Sequence, residues 1–469
     1  LASGYRTTIV EHNSGLGGVC TAWPRGPYVV DGCIHWLTGG AFSLLYEELG
    51  ILPSVKLKTI EHWLRWRDAR DGRVVNITRN LAQLADDLCA ISPEDGAEIV
   101  RLVREAEAFS EIAPPIDHPP EIATLWQQLH GFWDMRKGLG PMLHFHKPIG
   151  MWAEEQLRSQ QLRRLFTGLV PAEAPALFLL MVLGYLKRGW LSRPIGGTAA
   201  FRDALISSYE RLGGKALTHA TVDEIVVEDG RATGVRLADG TLLPAHAVIS
   251  TSSAPETVLR LLGGRYDAAA TRERMEQWKM FQPIVLASFG VDVPLADLPG
   301  MVLVDRVEPF QIGSTQNDRV YLRVCNDDAS HAPRGHAVVQ AMLNTDYAFW
   351  ATQGTGYELA KNEVARAALE QVARIIPGIQ EHVRMTDIAT PLTFHRQARS
   401  WRGAYEGWMP NAASMFGHVP KKLSGLAGFY MAGQWVEPGG GVPTAVMSGR
   451  QAVQILCDDE RHSFLIPAW

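Results

Sequence analysis

Hydrophobic and polar positions along this chain follow two periods, and where the period changes, the element changes. Leu1 to Ser3 followed by Gly4 reads as a last helical turn closed by glycine, and Thr7-Thr8-Ile9-Val10-Glu11 as a short buried parallel strand ending in a carboxylate. Residues 41–120 mix helical spacing with loop, and Trp63, Trp66 and the charged 66–73 segment are expected at a surface turn. Pro114-Pro115 and Pro119-Pro120 punctuate a connection, after which Leu125 to Leu169 carries Leu, Trp and Phe at helical spacing. Ala174 to Leu186 is nearly all apolar. It is shorter than the ~18–20 residues a bilayer requires, so it predicts a buried helix that lines a core or walls an apolar tunnel.

Further on, Ala199 to Leu212 is amphipathic and is closed by Gly213-Gly214. Val222 to Thr241, with turns at Asp229-Gly230 and Asp239-Gly240, predicts a β-meander, and Ala247–Ser250 another buried strand. Ile284–Val291, Val320–Cys325 and Ala337–Met342 read as strands, with one long amphipathic helix from Tyr357 to Ile376 laid across them. Strands grouped beneath a helix predict an antiparallel sheet. The chain ends with a strand at Gly428–Gly433 and a helix reaching about Ile455. The fold class is therefore α/β with an α+β part.

Length and composition narrow the classes. At 469 residues the chain has room for two or three domains. A hydrophobic share of 46% with 20% charged residues excludes a disordered or fibrous chain. The formal net charge of −5 argues against a nucleic-acid partner. Five scattered cysteines without a C-x-x-C point to reduced thiols and a cytoplasmic setting. Lys187, Arg188 and Trp190, next to the apolar run, suit a lipid headgroup boundary, which admits peripheral membrane contact. His144-Phe145-His146 alternates as on a strand but lacks a third ligand, so no metal is expected. Neither a G-x-S-x-G elbow nor a Walker A motif occurs.

Two glycine-rich regions carry the candidate chemistry. Glu11 ends a strand as an acidic residue does when it bonds the ribose of a dinucleotide, although a strand-end glutamate standing alone has no such meaning. Gly17 and Gly18 follow, where backbone amides could approach a phosphate or a ring without a Cβ in the way. At the other end, Pro438-Gly439-Gly440-Gly441-Val442-Pro443 opens a helix with a first turn stripped of side chains. Such an N-terminus suits an anion or a partially negative ring edge.

Glu11 through Gly40, with Gly17-Gly18, Val19 and Asp31-Gly32-Cys33-Ile34-His35-Trp36-Leu37-Thr38-Gly39, resembles the flavin-binding segment of the phytoene desaturase, carotenoid isomerase and retinol saturase group. That group lies within the FAD-dependent amine oxidase superfamily. Ala432-Gly433-Gln434-Trp435 followed by Pro438 to Pro443 resembles the same group's closing motif. Val19 departs from the pattern, since many members carry Arg there. The group's G-x-G-x-x-G turn belongs some 20 residues before Glu11, so roughly 20–30 residues are expected upstream of Leu1.

The resemblance implies FAD as cofactor and an apolar isoprenoid or carotenoid-like substrate. Its cofactor-binding residues would be Glu11, Gly17, Gly18, Val19, His35, Trp36, Val222, Gly433, Gln434, Gly440, Gly441, Val442 and Pro443. Val222 would offer its backbone to the adenine, and His35 and Trp36 would either face the flavin or pack beneath it. Pro391-Leu392-Thr393-Phe394-His395 and Tyr405-Glu406-Gly407-Trp408 also resemble the group's segments near the flavin and the substrate mouth, and the motifs single out no catalytic acid or base. A Rossmann-like FAD domain (1–60, 190–255, 425–469) would interleave with a substrate region, helical over 61–189 and an antiparallel sheet over 256–424. A desaturase, a saturase and a flavin-assisted isomerase share these motifs. An amine oxidase, a prenyl-lipid carrier of GDP-dissociation-inhibitor type and an inactive fragment are the alternatives.

Overall fold

Ile284–Val291 is buried at every position because it is flanked on both edges and covered on both faces. It pairs antiparallel with Ala337–Asn344, from Ile284 opposite Asn344 to Val291 opposite Ala337, and with Val383–Ala389 on its other edge. The computed structural model describes residues 1–469 except 53, 111–115, 128–132, 134–137, 412, 415 and 416. Pro114 and Pro115 thus lie outside the described residues.

The sheet built on that strand has seven members. In spatial order they are Val383–Ala389, Ile284–Val291, Ala337–Asn344, Thr315–Cys325, Met301–Ile312, His62–Asp68 and Val74–Thr78. Met301–Ile312 runs parallel to His62–Asp68, so the sheet is mixed and not purely antiparallel as expected. The 61–189 segment is likewise not wholly helical, since it donates the last two strands. Trp63 and Trp66 lie on the first of these, 2% and 0% exposed, and not at a surface turn. The turn is confined to Asp68–Arg73. The arginines beside the tryptophans mimic surface character, but Arg65 bonds Asn76 across the hairpin and the indoles face inward.

Helices cover both faces. Val364, Ala368 and Val372 of the helix Tyr357–Ile375 pack on Val285, Val339 and Ala341. On the other side the apolar run forms the helix Ala176–Arg188, which crosses Gly96–Phe109 so closely that a Cβ on Gly184 would lie 2.5 Å from the Ala106 carbonyl. Its basic end is engaged: Lys187 pairs with Glu107 at 3.3 Å, and Arg188 donates to Ser110. His144 sits on a helix, Leu139–Phe145, and not on a strand, with Nε2 2.5 Å from Glu98.

Four of the short strands form two parallel pairs, Thr8–Val10 with Lys215–Leu217 and Val248–Ser250 with Phe429–Met431. Thr8–Val10 was expected to be buried, yet Ile9 is 39% exposed; β-branching sets an extended backbone, while a single paired edge gives little cover. Ile249 is similarly exposed within Ala247–Ser250. Leu1–Gly4 is a hydrogen-bonded turn, with Gly4 at φ 88°. The meander forms as Val222–Glu228, Arg231–Leu237 and Leu242–Pro244.

Asp31 joins the glycine-rich N-terminal segment to the large sheet. It ends the hairpin Ala22–Arg25/Tyr28–Asp31 and is 1% exposed. Its carboxylate accepts from Thr198 N at 2.8 Å and Thr198 Oγ1 at 2.5 Å, and lies 3.2 Å from Arg323 and 3.3 Å from His331. Gln340 Nε2 donates to its carbonyl at 3.0 Å. Burial alone would raise this carboxyl, but Arg323, His331 and Thr198 hold it well below the usual range.

Replacing one member of such a pair leaves the other charge buried. Asp31→Asn is expected to cost about 3–5 kcal/mol in denaturant unfolding, and Asp31→Asn with Arg323→Met to cost less than the single change. Because the folded value is depressed, the wild-type contribution is present above the ordinary carboxylate range and is lost as pH falls through the folded value. The single variant should therefore lose that acid dependence.

Candidate active site

The two glycine-rich ends meet on one cavity of about 1800 Å³. Small-ligand sites usually occupy ~300–1,000 Å³, so this one holds more than a single compact ligand. Glu11, Gly17, Gly18, Val19, His35, Trp36, Val222, Gln434, Gly440, Gly441, Val442 and Pro443 all line it. Gly433 does not. It sits behind the wall, its N–H donating to Ser448 at 2.8 Å, where a Cβ would lie 3.2 Å from the Thr251 carbonyl.

At the C-terminal end the helix Gly441–Asp459 starts with no side-chain cap. Its first amides are therefore free to meet an acceptor in the cavity. Gly440 has φ 54° and ψ −157°, and a Cβ there would lie 3.2 Å from Glu406 Cβ and 3.3 Å from Gly407 N. Only glycine adopts that backbone without strain and leaves that space open.

At the N-terminal end Glu11 Oε1 accepts from Asn13 N and Asn13 Nδ2, at 2.8 and 2.9 Å. Those bonds fix its side chain at the strand end. Val222 keeps its carbonyl on Arg260 Nη2 at 3.2 Å, which restricts what its backbone can offer to a ligand.

Part of the remaining wall is apolar. Phe178, Met181, Val182 and Tyr185 of the helix Ala176–Arg188 line it, so the apolar run serves both as core and as cavity wall. Trp36 lies edge-on to buried Trp63, 5.7 Å between ring centroids. Burial, and then Arg323, pushes His35 down to about 3, so its imidazole is neutral.

Several lining residues were missed by sequence reasoning. Cys20 and Cys33 lie opposite each other beyond the hairpin pair Ala22 and Asp31, and hydrogen bonding to Cys20, then burial, raises the Cys33 thiol well above its usual value. Tyr405 and Glu406, from the Tyr405-Glu406-Gly407-Trp408 stretch that the resemblance sets near the flavin and substrate mouth, also face the cavity. Burial pushes Glu406 up to about 7.

A glycine cradle at an uncapped helix end, opening on a large cavity, leaves backbone amides free to meet an anionic group such as a cofactor carries. The chain belongs to the flavin containing amine oxidoreductase family, whose model matches residues 1–457. It is 25% identical over 490 aligned residues to phytoene desaturase (neurosporene-forming) of Rhodobacter capsulatus, covering 97% of this chain and 90% of that one. It is 28% identical over 291 residues to the chloroplastic prolycopene isomerase of Daucus carota, covering 59% of this chain and 46% of that one. Among solved structures, an oxidoreductase from Methanosarcina mazei matches with a TM-score of 0.65 and 17% identity, over 97% and 94% of the two chains. That last likeness is one of fold.

The His35 result yields a direct test. With a folded value near 3 against an unfolded one of ~6.5, this imidazole should show no titration above pH 5 in NMR of the folded protein. Its contribution to stability is full above about 6.5 and declines as pH falls toward 3, so His35→Gln should flatten part of the acid limb of an unfolding curve.

Proposed function

We propose that this chain is an FAD-dependent oxidoreductase that moves a hydride between an apolar isoprenoid or carotenoid-like polyene and the flavin. The observation that carries the reading is a single cavity, bounded at one end by the Gly439–Pro443 cradle and walled elsewhere by Phe178, Met181, Val182 and Tyr185. The names of the relatives, a phytoene desaturase and a prolycopene isomerase, give the substrate class. Bound FAD supplies the hydride acceptor or donor.

In this proposal Glu11 bonds the ribose hydroxyls, and Gly17, Gly18 and Val19 bring backbone close to the cofactor. Val222 flanks the adenine. Gln434, Gly441 and Val442 present amide N–H groups, Gly440 leaves open the space a Cβ would fill, and Pro443 presets the first turn of the helix whose positive end meets the pyrimidine edge of the ring. Gly433 keeps the strand end close to Thr251, so that the cradle stands where it does. His35 and Trp36 form an uncharged floor and exclude water. The helix Ala176–Arg188 aligns the polyene along the cavity.

The discontinuous FAD and substrate regions expected from the sequence belong to the same proposal. So does peripheral membrane contact near Lys187, Arg188 and Trp190. Among the described residues no helix is long and apolar enough to cross a membrane.

Purified full-length protein should show oxidised-flavin absorption bands, natively or after addition of FAD; their absence after reconstitution would sink the enzyme reading. Anaerobic mixing with phytoene or prolycopene should then either bleach those bands or change the polyene spectrum. A Cβ and two methyls at Gly440 would fill the cradle. Gly440→Val is therefore expected to weaken FAD binding at least about tenfold, ~1.4 kcal/mol, with an unchanged circular dichroism spectrum.

A further inference from the structure

Five acids line the cavity: Glu11, Glu173, Glu256, Asp318 and Glu406. Four have partners of their own. Glu11 accepts from Asn13, Glu173 pairs with Lys279 at 3.3 Å, Glu256 with Arg260 at 2.7 Å, and Asp318 with Arg164 at 2.8 Å. For Glu406 no hydrogen bond or ion pair occurs among the described residues, and burial alone sets its proton affinity. A carboxyl held in apolar surroundings without a cation has no structural bond to maintain and keeps both oxygens for a ligand.

Its position is fixed by backbone bonds of the three residues that follow it. Phe281 N donates to the Gly407 carbonyl at 3.3 Å, Gly439 N to the Trp408 carbonyl at 2.8 Å, and Met409 N to Lys279 O at 2.9 Å. A Cβ on Gly407 would collide with the Gln434 carbonyl at 2.2 Å, so the two loops touch at that point. Glu406 thereby stands against the cradle, its Oε1 3.9 Å from where a Cβ on Gly441 would be.

We propose that Glu406 is the proton-transfer residue of this cavity, exchanging a proton with the polyene carbon next to the one that exchanges hydride. The proposal rests on the polyene oxidoreductase reading above. In the desaturating direction one C–H bond breaks heterolytically and its proton goes to a Glu406 oxygen. The hydride of the neighbouring C–H bond passes to oxidised FAD, which is thereby reduced by two electrons. The electron pair left by the proton closes the new C=C bond. In the saturating direction each transfer reverses, and Glu406 starts protonated.

The groups around it suit that task. On its own loop Tyr405 faces it, pushed well up by burial and then by Glu406, with Tyr321 adding to the effect. From the hairpin side Cys33 feels its charge. The helix start from Gly439 to Ser448 carries no titratable side chain and contributes only amides. His35 is neutral and too weak a base to compete. A carboxyl near 7 is divided between acid and base at neutral pH, which is where a proton carrier is most effective.

The test uses FAD-loaded full-length protein with phytoene and prolycopene as probes. Without substrate, an infrared pH titration of wild type should show a protonated-carboxyl band with its midpoint at about 7, and Glu406→Gln should lack it. Glu406→Gln should keep the flavin spectrum and KM within about threefold, while kcat falls about 10²–10⁴-fold and its dependence on pH near 7 disappears. Glu406→Asp should retain the band and lose at least tenfold in kcat; it decides the matter if the Gln variant does not fold.

A band that persists in Glu406→Gln, or a kcat within threefold of wild type, overturns the proposal. So does loss of FAD from both variants, because Glu406 would then hold the cofactor. If wild type acts on neither probe, the function reading fails, and the infrared band still decides whether Glu406 carries the titrating proton.

Discussion

The buried carboxylate of Asp31 is the constraint on which the cavity depends. It gathers groups far apart in sequence: Thr198 at the start of the helix Gly197–Arg211, Arg323 on the strand Thr315–Cys325, His331 beyond it, and Gln340 on Ala337–Asn344. Arg323 and Gln340 belong to paired strands of the large sheet, and Thr198 starts the helix that brings Phe201 and Arg202 to the cavity. The hairpin ending at Asp31 leads directly into Cys33, His35 and Trp36, while the sheet behind Arg323 presents Tyr321 and Met342. Breaking such a pair costs more than the pair contributes, because the surviving charge stays desolvated. The geometry of the cavity is thus locked by an interaction whose chief effect is to penalise any alternative arrangement.

The same low-dielectric surroundings act in opposite directions on two cavity residues. Burial pushes the His35 imidazole down to about 3 and the Glu406 carboxyl up to about 7. Both shifts favour the neutral form, yet they run in opposite directions because the neutral imidazole is the deprotonated form and the neutral carboxyl the protonated one. His35 becomes inert at neutral pH, helped by the positive charge of Arg323 that Asp31 anchors. Glu406, with no ion pair among the described residues, becomes a usable acid and base. Different roles follow from one physical cause.

Much of this was legible in the sequence, and what was not shares one character. Ile284–Val291 and Tyr357–Ile375 announced themselves because local pattern and burial agree over several turns or pleats. The glycine cradle was legible because Gly440 and Gly441 need backbone angles that local sequence alone dictates. By contrast, Trp63 and Trp66 were misplaced because adjacent arginines look like surface, while the strand that buries them lies more than 230 residues away, at Met301–Ile312. The parallel pairing there, the partners of Asp31 and the isolation of Glu406 are all long-range facts. No window of sequence contains them. Glu406 was visible as an acid in a suggestive stretch; that the other four cavity acids have partners and it does not could only be read in three dimensions.

The charge distribution of the cavity also bears on which substrate it suits. An amine substrate enters as an ammonium ion, and removing that ion from water costs several kcal/mol unless a fixed anion meets it. Glu173, Glu256 and Asp318 are committed to Lys279, Arg260 and Arg164, so they offer little net negative potential. Burial raises the Glu406 carboxyl to about 7, which makes it a weak counter-ion near neutral pH. An uncharged polyene incurs no such cost and gains from contact with Phe178, Met181 and Val182. The pairing of Glu173, Glu256 and Asp318 with cations of their own leaves none of them to meet an ammonium ion, while the apolar part of the wall favours an uncharged hydrocarbon beside the cofactor.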